Sequence, residues 1–257
     1  MKSFLFFVEG IHDINCVAKV LLMNGFKEIN NINYLPQMWK VRIPRTYPFV
    51  DNRLDRFIPI PSYFIKDNLC LVTVSSNGVE KIIKSIDLYL SNMTKGELSL
   101  INGICAIFDA DQKLAKDAFN ERFTKQSKDM IINKKDFLDG KCKIRGEVIN
   151  LYYYFFPDNY SQGTLENFLL EGAKVVYSDL LDNVNKYLES IDEKYKKNWS
   201  ISSENKVRVG CIANVFRPGS ANQISIRLDN WISEESKMYS LVIKQFYDFI
   251  VNILSIN

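Results

Sequence analysis

Histidine is nearly absent from this chain: His12 is the single one among 257 residues. Mechanisms that need two histidines are excluded. A Ser-His-Asp triad would have to use His12, and no G-x-S-x-G elbow exists to partner it. The five cysteines, Cys16, Cys70, Cys105, Cys142 and Cys211, are scattered and form no C-x-x-C pair. Neither a disulfide framework nor a zinc site is expected, and a reducing cytoplasm is the expected compartment. No G-x-G-x-x-G follows a strand, which removes a dinucleotide-binding module. No apolar run approaches the roughly 18 to 20 residues of a membrane helix. The run Phe4–Val8 is also too short for a signal-peptide core, and no small-residue cleavage site follows it, so no membrane partner is expected. Net charge is small as well, +3 from 33 basic and 30 acidic side chains. Any site for a polyanion must therefore be local.

What the chain does have is a large apolar and aromatic content, 47% hydrophobic with 17 Phe and 13 Tyr. That is a folded protein with a sizeable core and not a solvated coil. Residues 3 to 8 read as a buried strand that breaks at Glu9-Gly10. Ile14, Val17, Ala18, Leu21 and Leu22 then repeat at helical spacing until Gly25. Residues 69 to 75 and 103 to 108 read as two more buried strands. Helices are expected over Val79–Leu90 and Leu114–Lys128. Strands alternating with helices imply an α/β fold, a parallel sheet with helices on both faces.

Two segments depart from that rhythm. Residues 36 to 66 hold five of the seven prolines, Pro36, Pro44, Pro48, Pro59 and Pro61. That density does not suit a central sheet and predicts an inserted loop or edge ribbon. After residue 140, Ile144–Asn150 and Leu151–Pro157 read as further strands. A helical stretch opens at Thr164, with a break near Gly172. Residues 206 to 216 fit a strand or a helix equally, and Ser236–Leu254 reads as a closing amphipathic helix. The division expected is a core over 1–172 carrying the insertion 36–66, and a mainly helical elaboration over 173–257.

Acidic residues stand at the ends of these elements. Glu9 follows the first strand, Asp109 and Asp111 follow the third, and Glu166 lies in Gly163-Thr164-Leu165-Glu166. Sites in open parallel sheets form at the carboxyl ends of strands. A D-x-D spacing sets two carboxylates about 6.6 Å apart along an extended chain, enough to embrace one hard cation or to hold two. Two carboxylates about 4 Å apart repel by roughly 4 kcal/mol at an effective dielectric near 20. A Mg²⁺ or Mn²⁺ ion reverses that cost, since oxygen ligands suit both. Each acid taken alone has a plainer reading: Glu9 as a solvated strand end, Asp111 as a helix cap, Asp13 as a first-turn acid that favours the dipole.

Taken in order, the motifs resemble those of Toprim domains. Phe7-Val8-Glu9-Gly10-Ile11-His12-Asp13 is similar to their V-E-G-x-x-D signature, and Ile107-Phe108-Asp109-Ala110-Asp111 to their D-x-D. Val74-Ser75-Ser76-Asn77-Gly78 resembles the strand-to-helix turn between the two. Gly163-Thr164-Leu165-Glu166 is similar to the downstream G-x-x-E of Toprim nucleases. The spread of motifs most resembles small stand-alone Toprim-like proteins and the nuclease half of the overcoming-lysogenization-defect family. The resemblance implies a Rossmannoid sheet and a metal-dependent nuclease acting on DNA or RNA with Mg²⁺ or Mn²⁺. It makes Glu9 a ligand and possible general acid or base, and Asp109 and Asp111 ligands. Asp13 and Glu166 would complete a second metal site, and Lys206 would neutralise developing phosphorane charge. A non-catalytic Toprim-like protein that binds nucleic acid or a partner ATPase is the alternative. A haloacid-dehalogenase-type phosphatase fits less well, because Gln112-Lys113 replaces the Gly-Thr of its F-D-x-D-G-T.

The insertion has its own chemistry. Arg42, Arg45, Arg53 and Arg56 lie within 15 residues, interleaved with Trp39, Tyr47, Phe49, Phe57, Tyr63 and Phe64. That is either a single-strand-binding composition, arginine for phosphates and rings for bases, or a proline-braced lid packed on the core.

Overall fold

The computed structural model describes residues 1–43, 60–124 and 130–255. In chain order the elements are β1 (Lys2–Val8), α1 (Ile11–Met23), β2 (Lys27–Glu28), α2 (Gln37–Lys40), β3 (Ser62–Lys66), β4 (Leu69–Ser75), α3 (Ile82–Ser91), α4 (Lys95–Leu98) and β5 (Ile101–Asp109). They continue with α5 (Ala115–Thr124), α6 (Lys134–Leu138), β6 (Lys141–Ile144), β7 (Glu147–Phe156), α7 (Leu165–Val176), α8 (Ser178–Ser190), α9 (Glu193–Lys196), α10 (Ile201–Phe216), α11 (Asn222–Leu228), α12 (Glu234–Tyr239) and α13 (Leu241–Leu254). This is an α/β fold. Among the described residues no helix is long and apolar enough to cross a membrane.

The chain divides into two units. The first comprises Met1–Gly10, Gly25–Ala106 and Asp129–Tyr152, and it carries the sheet. Strand order is β2-β3-β4-β1-β5-β7-β6. β1 runs parallel to β4 and to β5, with Phe7 opposite Val74 and Ala106. The sheet is mixed and not wholly parallel, and short turns are the reason. β6 and β7 are joined by two residues, Arg145 and Gly146, both at positive φ (50° and 91°). Two such residues in a row make the type I′ turn whose twist matches a hairpin, so the pair is antiparallel. β3 returns antiparallel onto β4 through Asp67-Asn68, with Asp67 at φ 50°. The proline-rich segment thus delivers a strand to the sheet at its far end. Trp39, Tyr63 and Phe64 are buried, and the Trp39 indole donates to Ser3 Oγ at 3.3 Å. These three rings belong to the core and are not a stacking platform.

The second unit comprises Ile11–Asn24, Ile107–Lys128 and Tyr153–Asn257. It holds the last residues of β5 and β7 and most of the helices. Consecutive residues of β7 are covered on both faces. Phe155 stacks on Phe108 at 4.9 Å between ring centroids, while Phe156 meets Phe168 at 5.0 Å and Phe246 at 5.1 Å. Fully burying each such ring contributes about 1.5 to 3 kcal/mol. The break expected near Gly172 falls instead at Tyr177 (φ −139°), where α7 gives way to α8. Gly172 sits inside α7 because the Trp231 carbonyl closes on it: a Cβ there would lie 2.2 Å from that oxygen. Residues 206 to 216, ambiguous by pattern, are helical in α10. The closing helix is interrupted at Ser240, which ends α12 and caps α13.

Candidate functional site

Two acids of the second unit meet the start of α7. Asp109, the last residue of β5, accepts the Leu165 backbone N–H on Oδ1 at 2.8 Å. A carboxylate there satisfies one of the helix's orphan donors and meets the positive end of its dipole. Thr164 precedes the helix and donates its hydroxyl to Glu166 Oε2 at 2.7 Å. Asn167 reaches back and accepts the Thr164 N–H at 3.0 Å. Glu166 is therefore a buried carboxylate with a local donor, 9% exposed.

Asp13 comes from the first turn of α1 and is likewise buried, at 6% exposure. Its charge acts, with those of Glu166 and Asp109, on one thiol. Burial, followed by the charges of Asp13, Glu166 and Asp109, holds Cys16 well above the ordinary thiol range. Cys16 is accordingly an inert thiol inside an acidic neighbourhood. His12 sits at the edge of the same field. Burial lowers its pKa, the Glu166 charge raises it, and the Lys206 charge lowers it again. Lys206, exposed on α10, contributes that last effect through its charge.

Asp111 behaves differently. It adopts φ 57°, and its backbone forms a reciprocal pair with Gly163: Asp111 N–H donates to the Gly163 carbonyl at 2.8 Å, and Gly163 N–H returns to the Asp111 carbonyl at 2.7 Å. Its side chain accepts Arg122 Nη2 from α5 at 2.6 Å. Arg122 is a residue the sequence reading missed. Leu114–Lys128 reads as a charged surface helix, and the loop between Asp111 and α5 removes any fixed spacing that would announce the pair.

Glu9 belongs to the sheet unit. It follows β1, and its carbonyl accepts from Ser75 Oγ at 3.4 Å and from the Gly78 N–H at 3.2 Å. The Ser75–Gly78 turn is therefore anchored on the Val8-Glu9 backbone, with Ser76 N–H donating to the Val8 carbonyl at 2.9 Å. Arg42 is committed locally. It pairs with Glu97 at 2.8 Å and donates to the Asn92 carbonyl at 3.3 Å. Arg45, Arg53 and Arg56 lie outside the described residues.

The donor chemistry suits a hard cation, since Asp13, Asp109 and Glu166 supply carboxylate oxygens and share one field. Their arrangement is less complete. Among the described residues no group of three or more His, Cys, Asp or Glu side chains is set to hold a metal ion. Asp109, Glu166 and Asp111 each have a protein donor on one oxygen.

A family model described as "Protein of unknown function (DUF3226)" matches residues 3–253. No curated protein matches the chain. Among solved structures, a hypothetical protein from Pyrococcus horikoshii OT3 is similar, with 19% identity over 99% of this chain and 95% of that one, at a TM-score of 0.47.

Proposed function

We propose, for a chain that belongs to the DUF3226 family, a metal-dependent nuclease that hydrolyses nucleic-acid phosphodiesters with Mg²⁺ or Mn²⁺. The observation that carries this reading is the placement of Asp109, at the end of β5, on the first N–H of α7, with the buried Glu166 on the same turn. Gathering like charges costs several kcal/mol unless a cation or a strong donor set answers them. In this reading Asp13, Asp109, Asp111 and Glu166 would hold the ion, and a role for Glu9 rests on the Toprim resemblance alone. When bound, the ion supplies positive charge to the attacking and leaving oxygens of the phosphodiester. The chain's own residues do the rest. Leu165 N–H and Thr164 Oγ fix the orientation of Asp109 and Glu166, and Lys206 would supply positive charge toward the phosphate, as the Toprim resemblance implies. The scattered free thiols, four of them buried, accord with a cytoplasmic location.

The test is hydrolysis of single- and double-stranded DNA and RNA with each metal, comparing the native chain with Asp109→Asn, Glu166→Gln and Glu9→Gln. Loss in the first two variants, with fold intact, supports the reading. A native chain inactive on every substrate refutes it.

The second reading is a non-catalytic protein that binds nucleic acid or a partner ATPase. It is favoured by one observation: three of the acids already have protein donors, which is how structural carboxylates are satisfied.

A further inference from the structure

A cleft of about 710 Å³ opens beside Asp111 in the helical unit, between the loop after β5, α5, the turn before α7 and the start of α10. Small-molecule sites run from roughly 300 to 1,000 Å³, so a mononucleotide fits this range. The walls are mixed, with Ala110, Ala118 and Ile201 set among the polar and charged side chains. Lys113 and Glu121 pair with each other at 2.5 Å and largely cancel. That leaves Arg122 as the cation with capacity to spare. It carries five N–H groups; Asp111 accepts from Nη2 at 2.6 Å, and Nε is enclosed without a hydrogen-bond partner among the described residues, so a ligand in the cleft would meet the terminal nitrogens that Asp111 also uses. A guanidinium fork with unused donors is the group that matches a phosphate's oxygens. Two amides, Gln112 and Gln162, line the same cleft, and no side-chain hydrogen bond occupies them among the described residues. A primary amide offers one donor and one acceptor side by side, the pattern that nucleobase edges present.

We propose that this cleft binds a nucleoside monophosphate, free or as the end of a strand, with the phosphate on Arg122 and the base against Gln112 and Gln162. It rests on the nuclease reading only in allowing the nucleotide to be part of a strand; binding itself requires no metal. Asp111 and the phosphate compete for the same guanidinium. Arrival of the phosphate releases the Asp111 carboxylate, which in the proposed reaction is a metal ligand.

The experiment is calorimetric titration of the full chain in EDTA with AMP, GMP, CMP and UMP, with the four nucleosides, and with inorganic phosphate. Saturable binding of at least one monophosphate is expected, with its nucleoside and phosphate each weaker by about tenfold or more. Arg122→Gln weakens that nucleotide by at least about tenfold, the worth of a charged hydrogen bond. Asp111→Asn tightens it, because the competitor is removed, and a variant that binds better is also one that has folded. Replacing Gln112 and Gln162 with alanine weakens the nucleotide but leaves phosphate unchanged. Absence of saturable nucleotide binding, or binding indifferent to Arg122→Gln, overturns the proposal. Phosphate binding as tightly as the nucleotide overturns its base-recognition half. Because EDTA is present throughout, a chain with no nuclease activity can still pass this test, and an active nuclease can fail it.

Discussion

His12 reports the field of the acidic site, because no other histidine shares its resonance. In metal-free buffer its ring is expected to titrate below 6.5. Lys206→Ala should raise that pKa by removing a like charge, and Glu166→Gln should lower it further by removing an opposite one. An unmoved pKa in both variants would separate these three residues. The same shift has a consequence for stability. The unfolded chain takes up a proton that the folded chain refuses, so this contribution is complete above pH 6.5 and is lost as pH falls from there through the lowered folded value. His12→Asn should flatten that part of the pH profile in denaturant titrations. Asp109 also deserves its own variant. Since its carboxylate caps α7, Asp109→Ala is expected to cost about 1 kcal/mol of stability. Asp109→Asn keeps an acceptor and should cost less than half of that, which makes it the cleaner probe of chemistry.

Among the elements, α7 is the one with least freedom to change. Gly172→Ala would set a methyl group against the Trp231 carbonyl at 2.2 Å, and the backbone of the 229–232 segment would have to move. A loss of about 1 to 3 kcal/mol is expected in urea unfolding, and a neutral effect would mean that Trp231 yields easily. Gly172 also illustrates the limit of reading a sequence: a helical glycine looks like a break, but a close tertiary approach is not written in local periodicity. β1, α1, β4, α3 and β5 were legible because continuous β-branched runs and 3.6-residue spacing are local signals. The hairpins were not read as antiparallel, since direction is set by Arg145-Gly146 and Asp67, whose φ values no pattern announces. α10 was ambiguous because Val207, Val209, Cys211, Ala213 and Val215 satisfy both periods. Of the site, the acids were visible as types at strand and helix ends. Arg122 was not, because its meeting with Asp111 depends on how the intervening loop turns.

For the molecule as a whole, the proposed ion is a stabilising ligand. At about a hundredfold excess over its Kd, Mg²⁺ or Mn²⁺ should add roughly 2.7 kcal/mol, which for a chain of this length raises Tm by several degrees. Asp13→Asn with Glu166→Gln should abolish the rise, read as the difference in Tm with and without metal for the same variant. A native chain whose Tm ignores both metals would favour the non-catalytic reading. One feature of the frame bears on how such a protein changes over time. The D-x-D loop and the turn that opens α7 are clasped by two hydrogen bonds between Asp111 and Gly163, both made by main-chain atoms. The atoms of that clasp are common to nearly all residues, but its backbone is not: Asp111 sits at φ 57° and Gly163 at φ 143°, which favour aspartate or asparagine at the first position and glycine at the second. Acids other than Asp111 can therefore be exchanged one at a time while that mounting persists, with the α7 cap as the cost where Asp109 is lost. Inactive copies and copies with new chemistry would then be equally accessible from this chain, and shape alone would not tell them apart.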